Sequence, residues 1–259
     1  MSVSDTLKEA IDRDDFDSLK LRLCQEPLVN QAGLDACLVL AMPSCSLQTI
    51  KLLLQLGAKL KPISWSAIFN RGDPVVFQLL IESGWDIDST EQERPAVHRA
   101  IRHEELLLWL LEHGANPDAR SERRVLGSCF ETSAPLAEAS TLSDPTSLRM
   151  LLAYGAKMDP DAIFHAIGVV RGSTQSTATM KVLIEHGADV NCLSTRWGTP
   201  IYYTVRRKEK EKLKLLLEHG ADPNLKPPRN NLTALELAKE RGLMDLYELM
   251  AASVRGEGS

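Results

Sequence analysis

The stretch "LLEHGADPN", residues 216–224, decides the fold, because nearly the same words stand at 110–118 ("LLEHGANPD") and at 183–191 ("LIEHGADVN"). In the first of these a Leu-rich run with helical periodicity stops at Gly220, the residue type best able to take the left-handed cap conformation, and Pro223 then prevents a restart. Aligning the chain on that glycine gives Gly57, Gly84, Gly114, Gly155, Gly187 and Gly220, with steps of 27, 30, 41, 32 and 33 residues (84−57, 114−84, 155−114, 187−155, 220−187). Self-similarity with a period near that last step marks a stack of supersecondary units.

A second signature follows each polar stretch: "GTPIYYT" (Gly198 to Thr204), "LTALELA" (Leu232 to Ala238), "SAPLAEA" (Ser133 to Ala139) and the more worn "RPAVHRA" (Arg94 to Ala100). A Thr or Ser before Pro starts a helix well, the hydroxyl capping it and Pro occupying the first turn. Helix, "GAD.N" turn, projecting loop, then T-P-L-H-x-A and another helix resembles the ankyrin repeat, and the resemblance covers almost the whole chain. It is strongest in the last two units, clear from about Leu52 onward, and reduced to an outline in "LKLRLCQEPLVN" (Leu19 to Asn30). The implied fold is an all-α ankyrin-repeat solenoid of about eight helix-turn-helix units, starting near residues 3, 33, 62, 91, 131, 160, 195 and 230. The degenerate first and last units read as caps, and residues 1–259 read as a single domain with a polar tail from about 254. Two loops exceed the consensus, at 119–133 and 169–180, and read as tolerated surface insertions.

Composition narrows the function. A hydrophobic share of 44% with 25% charged residues is that of a folded protein, and a formal net charge of −5 argues against a general nucleic-acid binder. "LLLWLL" (Leu106 to Leu111) is too short to cross a bilayer, and "MSVSDTLKEA" lacks the features of a secretion signal, so no membrane role and a cytosolic or nuclear location are expected. Cys24, Cys37, Cys45, Cys129 and Cys192 are an odd set with no C-x-x-C spacing, a poor disulfide framework and a poor zinc site, and neither a metal nor a cofactor is expected.

The resemblance implies that the variable position inside T-P-L-H-x-A looks toward a concave groove; here it is held by Asn70, Arg99, Glu138, His165 and Tyr203. This polar column can be a ladder of structural contacts such as Arg99 with Glu138, a surface for a protein partner, or an acid–base pocket. The partner-binding reading takes in Arg99, Arg102, Glu138, His165, Arg196, Trp197, Tyr202, Tyr203, Arg206 and Arg207, because Trp, Tyr and Arg dominate binding hot spots and six of these fall in one unit. Trp197 can equally brace two neighbouring loops. The enzymatic alternative, an isomerase or cyclase acting on a small-molecule ligand, would use Glu138, His165 and Tyr203, but no nucleophile motif or phosphate loop accompanies them. His113, His186 and His219 stand in "HG" at helix ends and His98 in the family's T-P-L-H position, which implies structural roles. Trp109, Trp65 and Trp85 read as core, and "RRKEKEKLK" (Arg206 to Lys214) as a solvated helix turn. Charge is uneven: Arg196, Arg206, Arg207, Lys208, Lys210, Lys212 and Lys214 face only Glu209 and Glu211, while Glu82, Asp86, Asp88, Glu91 and Glu93 crowd an earlier loop. The reading that follows is a non-catalytic interaction module, an adaptor, inhibitor or assembly chaperone that holds a protein partner in its groove.

Overall fold

The computed structural model describes residues 3–25, 29–60, 62–89, 94–120, 134–168, 176–229 and 231–256. They hold sixteen helices, which follow one another in pairs. A first compact unit, Met1–Ala115, contains α1 (Asp5–Asp12) with α2 (Phe16–Gln25), α3 (Gln31–Ala41) with α4 (Leu47–Gln55), α5 (Pro62–Arg71) with α6 (Pro74–Glu82), and α7 (Ala96–Ala100) with α8 (Glu104–Glu112). A second, Asn116–Ser259, contains α9 (Pro135–Ala139) with α10 (Thr146–Ala153), α11 (Ala162–Ile167) with α12 (Ala178–Glu185), α13 (Pro200–Arg207) with α14 (Lys210–Glu218), and α15 (Ala234–Glu240) with α16 (Met244–Arg255). The long loops at 121–133 and 169–175, with Glu91, Glu93 and Cys129, lie outside the described residues.

Within each unit the repeat packs like on like. First helices lie against first helices (α1 on α3, α3 on α5; α9 on α11, α11 on α13, α13 on α15) and second against second (α2 on α4, α4 on α6; α10 on α12, α14 on α16). The first helices α7, α9 and α11 have only five, five and six residues, too few to persist in water alone, so packing holds them. Small side chains at their contacts, among them Ala96, Ala100, Ala137, Ala139 and Ala162, are wholly buried and let backbones approach closely. The second helices supply bulk through pairs one turn apart, Leu148 with Leu151 and Leu213 with Leu216.

All six aligned glycines end a helix in the left-handed region, with φ between +81° (Gly220) and +91° (Gly84). A Cβ at any of them would meet nothing within 4 Å, so backbone conformation and not space selects glycine here. Two hydrogen bonds close each end: at α14, Gly220 N–H donates to Leu217 O (3.1 Å) and Ala221 N–H to Leu216 O (3.0 Å), the Schellman pattern that satisfies carbonyls a helix end leaves orphaned. The preceding histidines add a third, His113 Nδ1 to Trp109 O, His186 Nδ1 to Val182 O and His219 Nδ1 to Leu215 O, each 2.8 Å.

The rest of the repeated word ties neighbouring repeats together. Asn191, the last residue of "LIEHGADVN", accepts from Asp222 N–H (2.8 Å) and donates through Nδ2 to Gly220 O (3.0 Å), gripping the same turn of the following repeat. Asp118 grips Lys157 N–H (2.9 Å) one repeat earlier, and in the first unit Asp35 accepts from Lys59 N–H (2.8 Å).

One reading of the charge run is corrected. Within "RRKEKEKLK", Lys212 is 1% exposed; its Nζ donates to Ile167 O (3.0 Å) at the C-terminal end of α11, with Glu209 at 3.9 Å. Helical periodicity turns this one lysine inward, where a cation caps carbonyls that the turn at Gly168 leaves open. Burial pushes its pKa below the ordinary lysine value.

These closures set a test by urea unfolding. Gly220→Ala is expected to lower stability by about 1–2 kcal/mol through left-handed strain alone, and Asn191→Ala by about 1–2 kcal/mol through two lost hydrogen bonds. Asn224→Ala, the equivalent position one repeat on, is expected to stay within about 0.5 kcal/mol. Equal effects for Asn191→Ala and Asn224→Ala would remove the inter-repeat clamp from the account.

Candidate functional site

The candidate residues of the second unit gather on the hairpin that leads into α13. Ser194 and Gly198 form an isolated antiparallel bridge, Ser194 N–H to Gly198 O (2.8 Å) and Gly198 N–H to Ser194 O (2.9 Å). Inside it, Ser194 Oγ accepts from Arg196 N–H (3.2 Å) and Trp197 N–H (3.3 Å), which fixes the tip. Gly198 is at φ +90°, and a Cβ there would come within 2.9 Å of the Tyr202 ring and 3.2 Å of Pro227, so both conformation and close approach demand glycine. Thr199 then caps α13, its Oγ1 accepting from Tyr202 N–H (3.1 Å), and Pro200 opens the first turn.

This frame turns Trp197 inward. It is 7% exposed, with ring centroids 5.1 Å from Phe164, 5.6 Å from His165 (edge-on) and 6.4 Å from Tyr203. His165 is 2% exposed, Tyr203 6% and Tyr202 4%, so two members of the column expected to line a groove are interior beneath the Trp197 limb. Arg196 at the hairpin tip and Arg206 on α13 remain exposed, their guanidinium carbons 5.1 Å from the Trp197 ring and 6.0 Å from the Tyr203 ring, within cation–π reach. Arg207 and Glu138 are half-buried. In the first unit Asn70 and Arg102 are exposed, and Arg99 lies over the Phe69 ring at 5.5 Å.

The electrostatics follow from burial. His165 is pushed down from 6.5 to about 4 chiefly by desolvation, with Arg196 adding to the effect and Asp159 and Glu138 opposing it. At neutral pH it is an uncharged imidazole among aromatic rings. Asp161 moves the other way, its pKa raised by burial and by Asp159 while Arg196 pulls it down. Beside this group lies a cavity of about 260 Å³, bounded by the hairpin, Arg206, Pro227 and Arg229. Its wall includes Trp197 but neither Glu138, His165 nor Tyr203. Sequence reasoning missed Pro227 and Arg229: they belong to the next loop, outside every motif, and only the fold brings them to the hairpin.

The other tryptophans divide. Trp65 is 3% exposed and sits in an aromatic cluster with Phe69 (6.2 Å) and Trp85 (5.1 Å), while Trp109 is only half-buried and stacks on His113 at 3.8 Å.

Residues 166–255 match the family model for ankyrin repeats, in three copies. The ankyrin repeat domain of Bcl-3, described as a unique member of the IkappaB protein family, superposes with a TM-score of 0.58 at 22% identity, covering 83% of this chain and 85% of that one. The human ASB11 ankyrin repeat domain gives a TM-score of 0.57 at 21% identity, covering 71% and 80%. Residues 166–255 are ankyrin repeats, and the chain as a whole has the fold of ankyrin repeat domains. None of the curated proteins compared with it matches. At these identities the neighbours establish the ankyrin fold and nothing about what this chain binds. Among the described residues no helix is long and apolar enough to cross a membrane.

Within the ankyrin frame, Trp197 occupies the descending limb of the hairpin and roofs the variable positions of two successive repeats, His165 and Tyr203. Trp197→Ala is therefore expected to destabilise the chain by about 3–5 kcal/mol in urea unfolding, and Trp197→Phe to recover about half of that; an alanine variant as stable as wild type would remove the bracing role. His165 supplies a pH test. Its folded pKa lies below its unfolded one, so between pH 6.5 and about 4 the unfolded chain binds more protons and stability falls with falling pH. Comparing urea midpoints across pH, His165→Gln is expected to flatten the profile in that window alone and to leave it unchanged above it.

Proposed function

We propose that the chain is a non-catalytic protein-interaction module, an adaptor, inhibitor or assembly chaperone acting in the cytosol or nucleus, that engages its partner through the exposed basic face of the α13 hairpin. Ankyrin-repeat domains in general mediate protein–protein interactions. The observation that carries the reading here is the division of labour at 194–206: Trp197, Tyr202 and Tyr203 are buried and packed, and Arg196 and Arg206 stand beside them in solvent. A preorganised platform loses little conformational entropy on binding, and arginines held over aromatic rings are already partly ordered. Glu138 and Arg207, in the same unit as the hairpin, supply further polar contacts. Burial of His165 and Tyr203 supports this reading over an acid–base enzyme, whose substrate would have to displace the Trp197 limb. The four described cysteines, Cys24, Cys37, Cys45 and Cys192, are free thiols, which suits a reducing compartment.

The test begins with affinity capture by the full chain, with bound proteins identified by mass spectrometry, and continues with binding kinetics on the purified partner. Arg196→Glu with Arg206→Glu is expected to slow association about tenfold at low salt and by less than about threefold at 0.5 M salt, with dissociation changed little, because exposed charges steer encounter more than they hold. Wild-type kinetics in this variant would place the interface elsewhere on the chain; failure of the wild-type chain to retain any protein would remove the reading.

A further inference from the structure

The cavity beside the hairpin has a chemistry that an ordinary docking face does not need. Arg196 comes from the hairpin tip, Arg206 from α13 and Arg229 from the loop before α15, three separate segments that bring three arginines to line one space of about 260 Å³. All three residues are exposed to solvent. Trp197, Gly198 and Pro227 complete the wall, and none of the described residues lining it is acidic. Among the described residues none of the three arginines forms an ion pair; neighbouring cations do, Lys210 with Asp245 at 3.4 Å and Lys214 with Glu211 at 3.0 Å. Asp161, outside the lining, feels the Arg196 charge.

Holding like charges together costs Coulomb energy that an unoccupied surface has no reason to bear, and the cost is offset when a multivalent anion enters. A carboxylate brings one negative charge, balanced by one bidentate guanidinium, whereas a phosphoryl group offers about two negative charges and three acceptor oxygens, matching several arginine forks at once. The cavity is smaller than the roughly 300–1,000 Å³ usual for a drug-sized ligand, and it suits a single modified side chain backed by the Trp197 and Pro227 surfaces. The chain's net charge of −5 disfavours a long polyanion, which would also meet acidic surface.

We propose that Arg196, Arg206 and Arg229 form a receptor for a phosphorylated serine or threonine side chain presented by the protein partner. The proposal rests on the interaction-module reading and adds that binding is switched on by phosphorylation of the partner. The guanidinium groups clamp the phosphoryl oxygens, the Ser194-pinned hairpin holds Arg196 in place, and Gly198 keeps Pro227 and hence the following loop close.

The probe is a pair of degenerate fluorescein-labelled nonapeptide pools, one carrying phosphoserine or phosphothreonine at its centre and one the unmodified residue, titrated against the full chain by fluorescence anisotropy. The phosphorylated pool is expected to bind at least about tenfold more tightly, and the combined Arg196→Gln, Arg206→Gln, Arg229→Gln variant to lose that preference while keeping the wild-type circular dichroism. Arg229→Gln alone is expected to lose about threefold or more, and Arg206→Lys, which keeps the charge but not the fork, to lose most of the preference for phosphate. Equal binding of the two pools overturns the proposal, as does an undiminished preference in the triple variant. Displacement of the phosphorylated pool by a single-stranded RNA 20-mer at a tenfold lower concentration also overturns it, by assigning the cleft to nucleic acid. These outcomes leave the interaction-module reading standing, since that reading falls only if the wild-type chain retains no protein partner.

Discussion

The structure depends on how a helix ends. From α4 to α14 each second helix of a repeat closes on a glycine in the left-handed region, where two backbone hydrogen bonds satisfy carbonyls that the helix end leaves orphaned. That turn reverses the chain at a fixed angle, so the residues after it arrive at the same place in every repeat. In the second unit the side chain of Asn191 uses this regularity, bonding the Gly220 carbonyl and the Asp222 amide of the next turn. One local conformation thus sets both the repeat and its spacing. The empty space around each glycine shows that the conformation itself is what the position requires.

The hairpin before α13 rests on the same logic with a tighter constraint. Gly198 lies against Tyr202 and Pro227, and the resulting close packing turns Trp197 under the loop. An exposed Trp would have been an adaptable anchor for a partner; a buried one instead fixes the platform on which Arg196 stands. His165 is neutral for the same reason, since desolvation beneath the tryptophan outweighs the pull of Asp159 and Glu138. Aromatic packing and cation placement are therefore one feature. The rings fill the space beneath the loop, and the guanidinium groups have nowhere to go but outward.

The repeat, the helix ends and the all-helical class were legible in "LLEHGADPN" and its copies because each rests on interactions a few residues apart: a helix stripe, a glycine cap, a Thr-Pro start. The imidazole bonds of His113, His186 and His219 follow from the same local geometry. The platform at 194–206 was legible as a cluster of residue types, since all its members lie within one repeat. Its interior and exterior were not. Burial of Trp197, His165 and Tyr203 depends on Phe164 and Pro227, one repeat before and one after, and no pattern within a single unit reports that.

What the sequence determined by itself was the period and the conformation within it, because chain reversal at glycine is decided by backbone sterics and by hydrogen bonds spanning five residues or fewer. Tertiary structure alone decided which side chains of equivalent position face water. Lys212 in a run of alternating charge went inward to cap α11, and Arg229 from an unremarked loop came to stand with Arg196 and Arg206. Both outcomes are set by distances between segments that are far apart in the chain, and these distances exist only once neighbouring repeats have packed.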